Sequence, residues 1–178
     1  MDDAVSSFIQ AVLKAQAHNR IGFSTALREI KAGQKRSHWI WYVWPCLKGV
    51  RKTSQPQFEL LSLEYASAWL RHETLGPRLL EITLEAVIHL EAGVKPERLF
   101  GSDVDAFKFH NCVQLFLAAA TQAVPENTEA KALFHRSLQA LGRDQAKPTL
   151  ELLSKAAGPS YRIAHNLEDH GFRRSRAL

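Results

Sequence analysis

Apolar side chains recur at three- and four-residue steps along most of the chain, and this spacing restricts the possible folds more than any other feature. Near the N-terminus the residues that follow it are Ala4, Val5, Phe8, Ile9, Val12 and Leu13. This period is typical of an amphipathic α-helix, whereas a half-buried strand would alternate at every second residue. No convincing pair of alternating segments occurs. The sequence therefore predicts an all-α fold, with one compact multihelical domain.

Glycine and proline divide the helical pattern into segments, because glycine adopts the left-handed conformation that ends helices and proline fits their first turn. The predicted helices cover about residues 2–18, 24–32, 37–44, 62–72, 74–92, 95–100, 103–123, 127–141 and 148–157. The helix over 74–92 is apolar on two stripes, which predicts a central position in the fold. We expect residues 1–157 to form the domain and residues 158–178 to form a basic C-terminal tail.

Composition excludes several classes of protein. The 178 residues are 46% hydrophobic and 23% charged, which is typical of a globular domain. No apolar run approaches the ~18 residues that a membrane span needs, and the N-terminal residues do not resemble a secretion signal. Cys46 and Cys112 form no CxxC pair, so we expect two reduced thiols and a cytoplasmic protein. The eight histidines include no His-x-x-x-His pair, and no nucleotide-loop or nucleophile-elbow motif occurs, so neither a metal nor a cofactor is predicted.

The positive charge is concentrated in residues 28–52. This segment carries seven basic residues and one acidic residue, a net charge of +6 in a chain whose total is +5. A concentrated positive field attracts anionic partners, which include nucleic acid.

An aromatic segment, KRSHWIWYVWP, occupies residues 35–45 and contains three of the four tryptophans. Ser37 is a possible N-cap and Pro45 a helix terminator, which favours a short helix, although the same residues would suit a short buried strand. The rings could pack in the core, with their N–H groups bonded to carbonyls, or could form the wall of a pocket.

Several motifs resemble the DUF1810 family. They are SHWIWYVWP at residues 37–45, LGPRL at 75–79, Phe100-Gly101 and TLELL at 149–153, in the order in which that family carries them. The family is small, mainly helical and without an assigned activity, so the resemblance implies a helical fold and no function. Cys46 departs from the family pattern, which typically has glutamine after the proline.

Six residues are candidate ligand-binding residues because they combine cations with an aromatic face: Lys35, Arg36, His38, Trp39, Arg78 and Lys108. Aromatic rings beside cations hold bases, nucleotides and phosphates. Arg78 lies near the start of a helix, where the dipole favours anions. Lys108 and Asn111 are neighbours on a predicted helix surface. Each residue also suits a structural role, as a solvated charge or a hydrogen-bonded side chain.

Three functions remain open. The first is binding of a small anionic or nucleotide-like ligand near Lys35–Trp44, with or without catalysis. The second is non-specific binding of nucleic acid by residues 28–52, and the third is a protein-interaction module without a ligand. Cys46 as a nucleophile with His38 as its base is disfavoured, since nothing in the sequence brings them together. No oligomeric state is predicted.

Overall fold

The computed structural model describes residues 3–122, 124–143 and 145–157, so the predicted basic tail over 158–178 lies outside it. Helices in the described part are α1 (Asp3–Gln16), α2 (Phe23–Lys31), α3 (Ile40–Val43), α4 (Leu63–Arg71), α5 (Leu75–Glu91), α6 (Pro96–Leu99), α7 (Asp103–Gln122), α8 (Thr128–Leu141) and α9 (Lys147–Ala157). A short 3-10 turn spans Pro56–Phe58, and the β-structure in these residues is an isolated bridge between Leu47 and Leu60. The all-α prediction is confirmed. In the described part of the chain, no helix is long and apolar enough to cross a membrane.

The most completely buried helix is α7, whereas the sequence predicts a central position for α5, which packs against α2, α4, α6 and α8. Every residue from 109 to 120 is buried, and α7 packs against α4, α6, α8 and α9. Three consecutive alanines, Ala118–Ala119–Ala120, leave space for these neighbours to approach closely. In contrast, α5 leaves Leu84 and Ile88 exposed over 40% and 49% of their surfaces. The second apolar stripe of α5 is therefore only partly covered.

Buried polar groups connect α7 to the segment around α9. Asn111 is buried; its amide donates to the Phe107 carbonyl at 2.9 Å and accepts from the Thr149 hydroxyl at 2.9 Å. Gln114 accepts from the Ala146 N–H at 3.3 Å. Asn111 therefore lies inside the fold and not on a solvated helix surface beside Lys108. Thr149 provides the hydrogen-bond partner that a buried amide needs.

The aromatic segment begins at a close contact with the turn after α6. The Lys35 N–H donates to the Leu99 carbonyl at 2.7 Å. Gly101 adopts a φ of +79°, and a Cβ at this position would lie 2.9 Å from the Lys35 carbonyl oxygen. Only glycine satisfies both requirements without strain. This turn fixes the path of the chain immediately before the aromatic rings.

Replacing Gly101 with alanine is expected to lower the free energy of unfolding by about 2–3 kcal/mol, since the positive φ and the clash with Lys35 both cost energy. Gly93→Ala is the matched control, because Gly93 has a φ of +85° but nothing within 4 Å of an added Cβ. We expect the control to lose about 1 kcal/mol. Urea denaturation measures both values, and equal losses would show that the contact with Lys35 has no energetic role.

Candidate anion-binding cleft

Glu29, on α2, organises the start of the aromatic segment. One carboxylate oxygen accepts from the Arg36 N–H at 2.8 Å, the Ser37 N–H at 3.0 Å and the Trp39 indole N–H at 2.8 Å, and the other accepts from the Ser37 hydroxyl. Ser37 therefore does not cap the following helix, and α3 begins later than predicted, at Ile40. Burial acts to raise the pKa of Glu29, but hydrogen bonds from Ser37, Arg36 and Trp39 outweigh it and lower that pKa below 4.5.

Two of the three indole rings in the segment belong to the core. Trp39 and Trp44 are fully buried, with ring centroids 5.5 Å apart, and the Trp44 indole donates to the Thr83 hydroxyl at 3.0 Å. The sequence predicts that Trp39 contacts a ligand, but the Glu29 carboxylate accepts its N–H and the whole ring packs inside. Trp41 is the half-buried ring that faces outward. Trp41, and not Trp39, is therefore the residue that can form an aromatic wall of a site at the surface.

Asp105 lies between two lysines beneath these rings. Its carboxylate is 2.6 Å from the Lys35 ammonium and 3.0 Å from the Lys108 ammonium, and the three side chains are only 7–14% exposed. Lys35 lies 5.3 Å from the centroid of the Trp39 ring, and Lys108 lies 4.7 Å from that of Trp41. We call Lys35, Asp105 and Lys108 the lysine–aspartate cluster. Two positive charges share one negative charge, so the cluster carries a net charge of +1.

A small cleft opens beside the Lys108 end of this cluster. Residues that line it are Trp41, Trp44, Cys46, Arg51, Lys52, Thr53, Gln55, Phe58, Glu59 and Lys108. Its volume is about 30 Å³, so it admits one end of a ligand rather than a whole nucleotide. The lining contains three cations and one carboxylate, and its apolar part is mainly aromatic. Such a combination suits an anion that carries, or lies beside, an apolar group.

Arg51 and Lys52 on the rim of the cleft are exposed. In the described residues, no carboxylate lies within ion-pair distance of either side chain. Their charges are therefore available to an anion that enters the cleft.

The family comparison agrees with the motifs. The family model described as protein of unknown function, DUF1810, matches residues 6–153. The chain belongs to the DUF1810 family. The crystal structure of Rv1873, a conserved hypothetical protein from Mycobacterium tuberculosis, is 31% identical in sequence with a TM-score of 0.68. The match covers 84% of this chain and 96% of that one. No curated protein matches the chain.

In this DUF1810 domain Cys46 contributes a neutral thiol to the cleft. Its sulfur donates to the Lys108 carbonyl at 3.4 Å. Burial raises the pKa of Cys46 to about 12, although the nearby Lys108 charge acts to lower it. The thiolate form is therefore scarce at neutral pH, and since the thiolate is the nucleophile, Cys46 does not suit nucleophilic catalysis.

Other candidate residues occupy different positions in the DUF1810 domain. His38 is exposed beside Trp41, with ring centroids 6.5 Å apart. Arg36 is exposed, and its backbone N–H bonds to Glu29. Neither lines the cleft.

Arg78 makes contacts that join helices. It lies 5.1 Å from the centroid of the Phe23 ring and donates to the Gln16 amide oxygen at 3.2 Å. Gln16 in turn donates to the Tyr42 carbonyl at 2.7 Å. Arg78 therefore supports the back of the aromatic segment and does not line the cleft. Ligand-binding roles for Arg78, Arg36 and His38 remain predictions.

Sequence reasoning missed Glu29, Trp41, Phe58 and Asp105 as residues that build the site. In the sequence, Asp105 is an acidic residue in the first turn of a helix, where it favours the helix dipole. Its spacing from Lys108 was a usable signal, because residues three apart on a helix form ion pairs. Its pairing with Lys35, 70 positions earlier, has no local signature. In the described residues, no group of three or more histidine, cysteine or acidic residues is arranged to hold a metal ion.

Proposed function

We propose that this domain binds a small anionic ligand in the cleft beside Trp41. The observation that carries the proposal is the lysine–aspartate cluster, in which two largely buried ammonium groups share the single carboxylate of Asp105. An uncompensated buried charge is unfavourable, and an anion at the Lys108 end would balance it. The ligand would therefore stabilise the folded protein as well as bind to it.

The contacts of the cleft favour an oxyanion such as a phosphate or carboxylate group. Lys108 lines the cleft and supplies a charged donor, since its ammonium lies 4.7 Å from the centroid of the Trp41 ring in the same lining. Arg51 supplies a planar guanidinium that can form two parallel hydrogen bonds to one oxyanion. For a nucleotide-like ligand, only the phosphate or the edge of the base would enter, because of the small volume. Lys35 and Trp39 would act from behind, by positioning Asp105 and Lys108.

Non-specific binding of nucleic acid through residues 28–52 is the alternative. The structure favours it less, because two of the seven cations in this segment already form ion pairs. Lys31 lies 3.7 Å from both Glu81 and Glu85, and Lys35 is paired with Asp105. A protein-interaction module without a ligand is the third possibility. The excess charge of the cluster lies beneath the surface, where a small ion reaches it more readily than a duplex does.

The test is the effect of inorganic phosphate on the free energy of unfolding, with chloride at equal ionic strength as the reference. We expect phosphate to stabilise the wild type, and Lys108→Met to weaken the apparent phosphate affinity about tenfold or more, since a charge-assisted hydrogen bond is lost. Lys48→Met is the matched control. It also removes one lysine charge, but Lys48 belongs to the basic segment over 28–52 and lies outside the cleft.

Two results would contradict the proposal. One is equal phosphate stabilisation in the wild type and in Lys108→Met. The other is an equal loss in Lys48→Met, accompanied by steeply salt-dependent binding of DNA, which would support the nucleic-acid alternative.

A further inference from the structure

Two of the three aromatic walls of the cleft, Trp44 and Phe58, are held in place by contacts outside it. Trp44 is fully buried, with its ring against Phe100 and Phe109 at centroid distances of 5.4 and 4.7 Å. Phe58 meets the ring of Tyr42 edge to face at 5.2 Å. The Tyr42 hydroxyl is fixed in turn, because it donates to the Ile21 carbonyl at 2.7 Å. A cleft whose walls are supported in this way keeps its shape when it is empty.

Two neutral polar side chains of the cleft accept hydrogen bonds from their neighbours. The Thr53 hydroxyl accepts from the Gln55 N–H at 3.1 Å, and the Gln55 amide oxygen accepts from the Gln57 amide at 2.6 Å. Both bonds use an acceptor oxygen, so the Thr53 hydroxyl and the Gln55 amide keep their own O–H and N–H donors. The cations and the aromatic faces are the recognition groups that suit an anion with an aromatic part, and the Glu59 carboxylate is the negative group of the same lining.

We infer that the ligand carries its oxyanion directly on a flat aromatic ring, as in an aryl carboxylate or an aryl phosphate. This inference rests on the proposed anion-binding function and specifies the class of ligand. The oxyanion lies at Lys108 and Arg51, and the ring lies along Trp41 and Phe58. Because the enclosed volume is only about 30 Å³, the ring would lie at the mouth of the cleft, against Trp41 and Phe58, with the oxyanion inside.

Lys108 connects the oxyanion site to the aromatic wall of the cleft. Its ammonium lies 4.7 Å from the centroid of the Trp41 ring, so an oxyanion bound to it is held next to the indole. An aromatic ring attached directly to that oxyanion then reaches the indole without a flexible linker, and offset stacking of aromatic rings is favourable. An anion on a long or flexible chain would lose conformational entropy on making the same contacts.

Isothermal titration calorimetry with benzoate, cyclohexanecarboxylate and inorganic phosphate tests the inference. The first two ligands have similar size and the same charge, but only benzoate is planar. We expect benzoate to bind about tenfold more tightly, in line with stacking on an aromatic side chain. Trp41→Leu should remove this preference, and Trp41→Phe should restore most of it, which separates loss of stacking from loss of folding.

Failure of the inference and failure of the proposed function give different results. Equal affinities for benzoate and cyclohexanecarboxylate, with phosphate binding retained, overturn the aromatic ligand class alone. A benzoate preference that persists unchanged in Trp41→Leu does the same. Absence of binding by phosphate and by both carboxylates overturns the anion-binding function together with the inference.

Discussion

Replacing Asp105 with asparagine is expected to lower the free energy of unfolding by about 3–5 kcal/mol, because it leaves two buried ammonium groups without a counter-charge. The Lys35 and Lys108 side chains are 7% and 14% exposed, so water cannot fully replace the lost carboxylate. Urea denaturation at neutral pH measures the loss. Asp103→Asn is the matched control, since Asp103 is an exposed acidic residue in the same first turn of α7.

A second variant separates the charge effect from a change in packing. Adding Lys35→Met to Asp105→Asn removes one of the two ammonium groups, so the double variant should be more stable than Asp105→Asn by itself. Phosphate should also stabilise Asp105→Asn more than the wild type, because an anion can then replace the missing carboxylate. A stability of Asp105→Asn close to that of Asp103→Asn would contradict a coupled, buried cluster.

Replacing Glu29 with alanine is expected to cost about 2–4 kcal/mol, since it removes the acceptor of several hydrogen bonds at once. The Trp39 indole N–H lies on a fully buried ring, and the Arg36 and Ser37 N–H groups lose the same carboxylate. Glu29→Gln is the informative comparison. Its amide oxygen can still accept the N–H groups, and its NH₂ can donate to the Ser37 hydroxyl, so its loss should be well below that of alanine. Similar losses in both variants would show that the carboxylate charge, rather than the acceptor geometry, holds the segment.

The pH dependence of stability provides a further check on Glu29. Its pKa is lower in the folded protein than the ordinary value of 4.5, because hydrogen bonds outweigh the opposing effect of burial. A carboxyl group of this kind contributes stability above its unfolded-state pKa and loses it as the pH falls through the folded-state pKa. The wild type should therefore lose more stability below about pH 4.5 than Glu29→Gln does. An identical acid response in the two proteins would exclude this contribution.

Local patterns predict the helices of this domain well, but they do not predict how those helices pack. The three- and four-residue spacing locates α1, α7 and α8 closely, because an amphipathic stripe is a property of neighbouring residues. The burial of α7 depends on the alanines that admit its neighbours and on the partner that Thr149 gives to Asn111. Both are tertiary features. The sequence pattern therefore favours the more hydrophobic α5 as the central helix, although α7 is the more completely buried.

The sequence predicts a site in the aromatic segment, and the structure buries the ring that it named, Trp39, and leaves Trp41 beside a cleft. Which indole is buried depends on Glu29, ten residues before Trp39, and the sequence pattern presents Glu29 only as a minority charge in a basic segment. The pairing of Lys35 with Asp105 depends on the turn at Gly101, which brings the two segments together. Long-range electrostatic pairs of this kind cannot be read from local spacing.

Indole N–H resonances of the four tryptophans test the central claim most directly. In a ¹⁵N–¹H correlation spectrum, each indole gives its own signal, which a Trp→Phe variant assigns. Trp39, Trp44 and Trp69 are fully buried, and their N–H groups are bonded to Glu29, Thr83 and the Leu75 carbonyl, whereas Trp41 borders the cleft. Titration with phosphate at constant ionic strength should move the Trp41 signal most and leave the Trp69 signal unchanged. In Lys108→Met, the same titration should no longer move the Trp41 signal. A Trp41 signal that stays in place, or that moves equally in Lys108→Met, would contradict an anion site at the lysine–aspartate cluster.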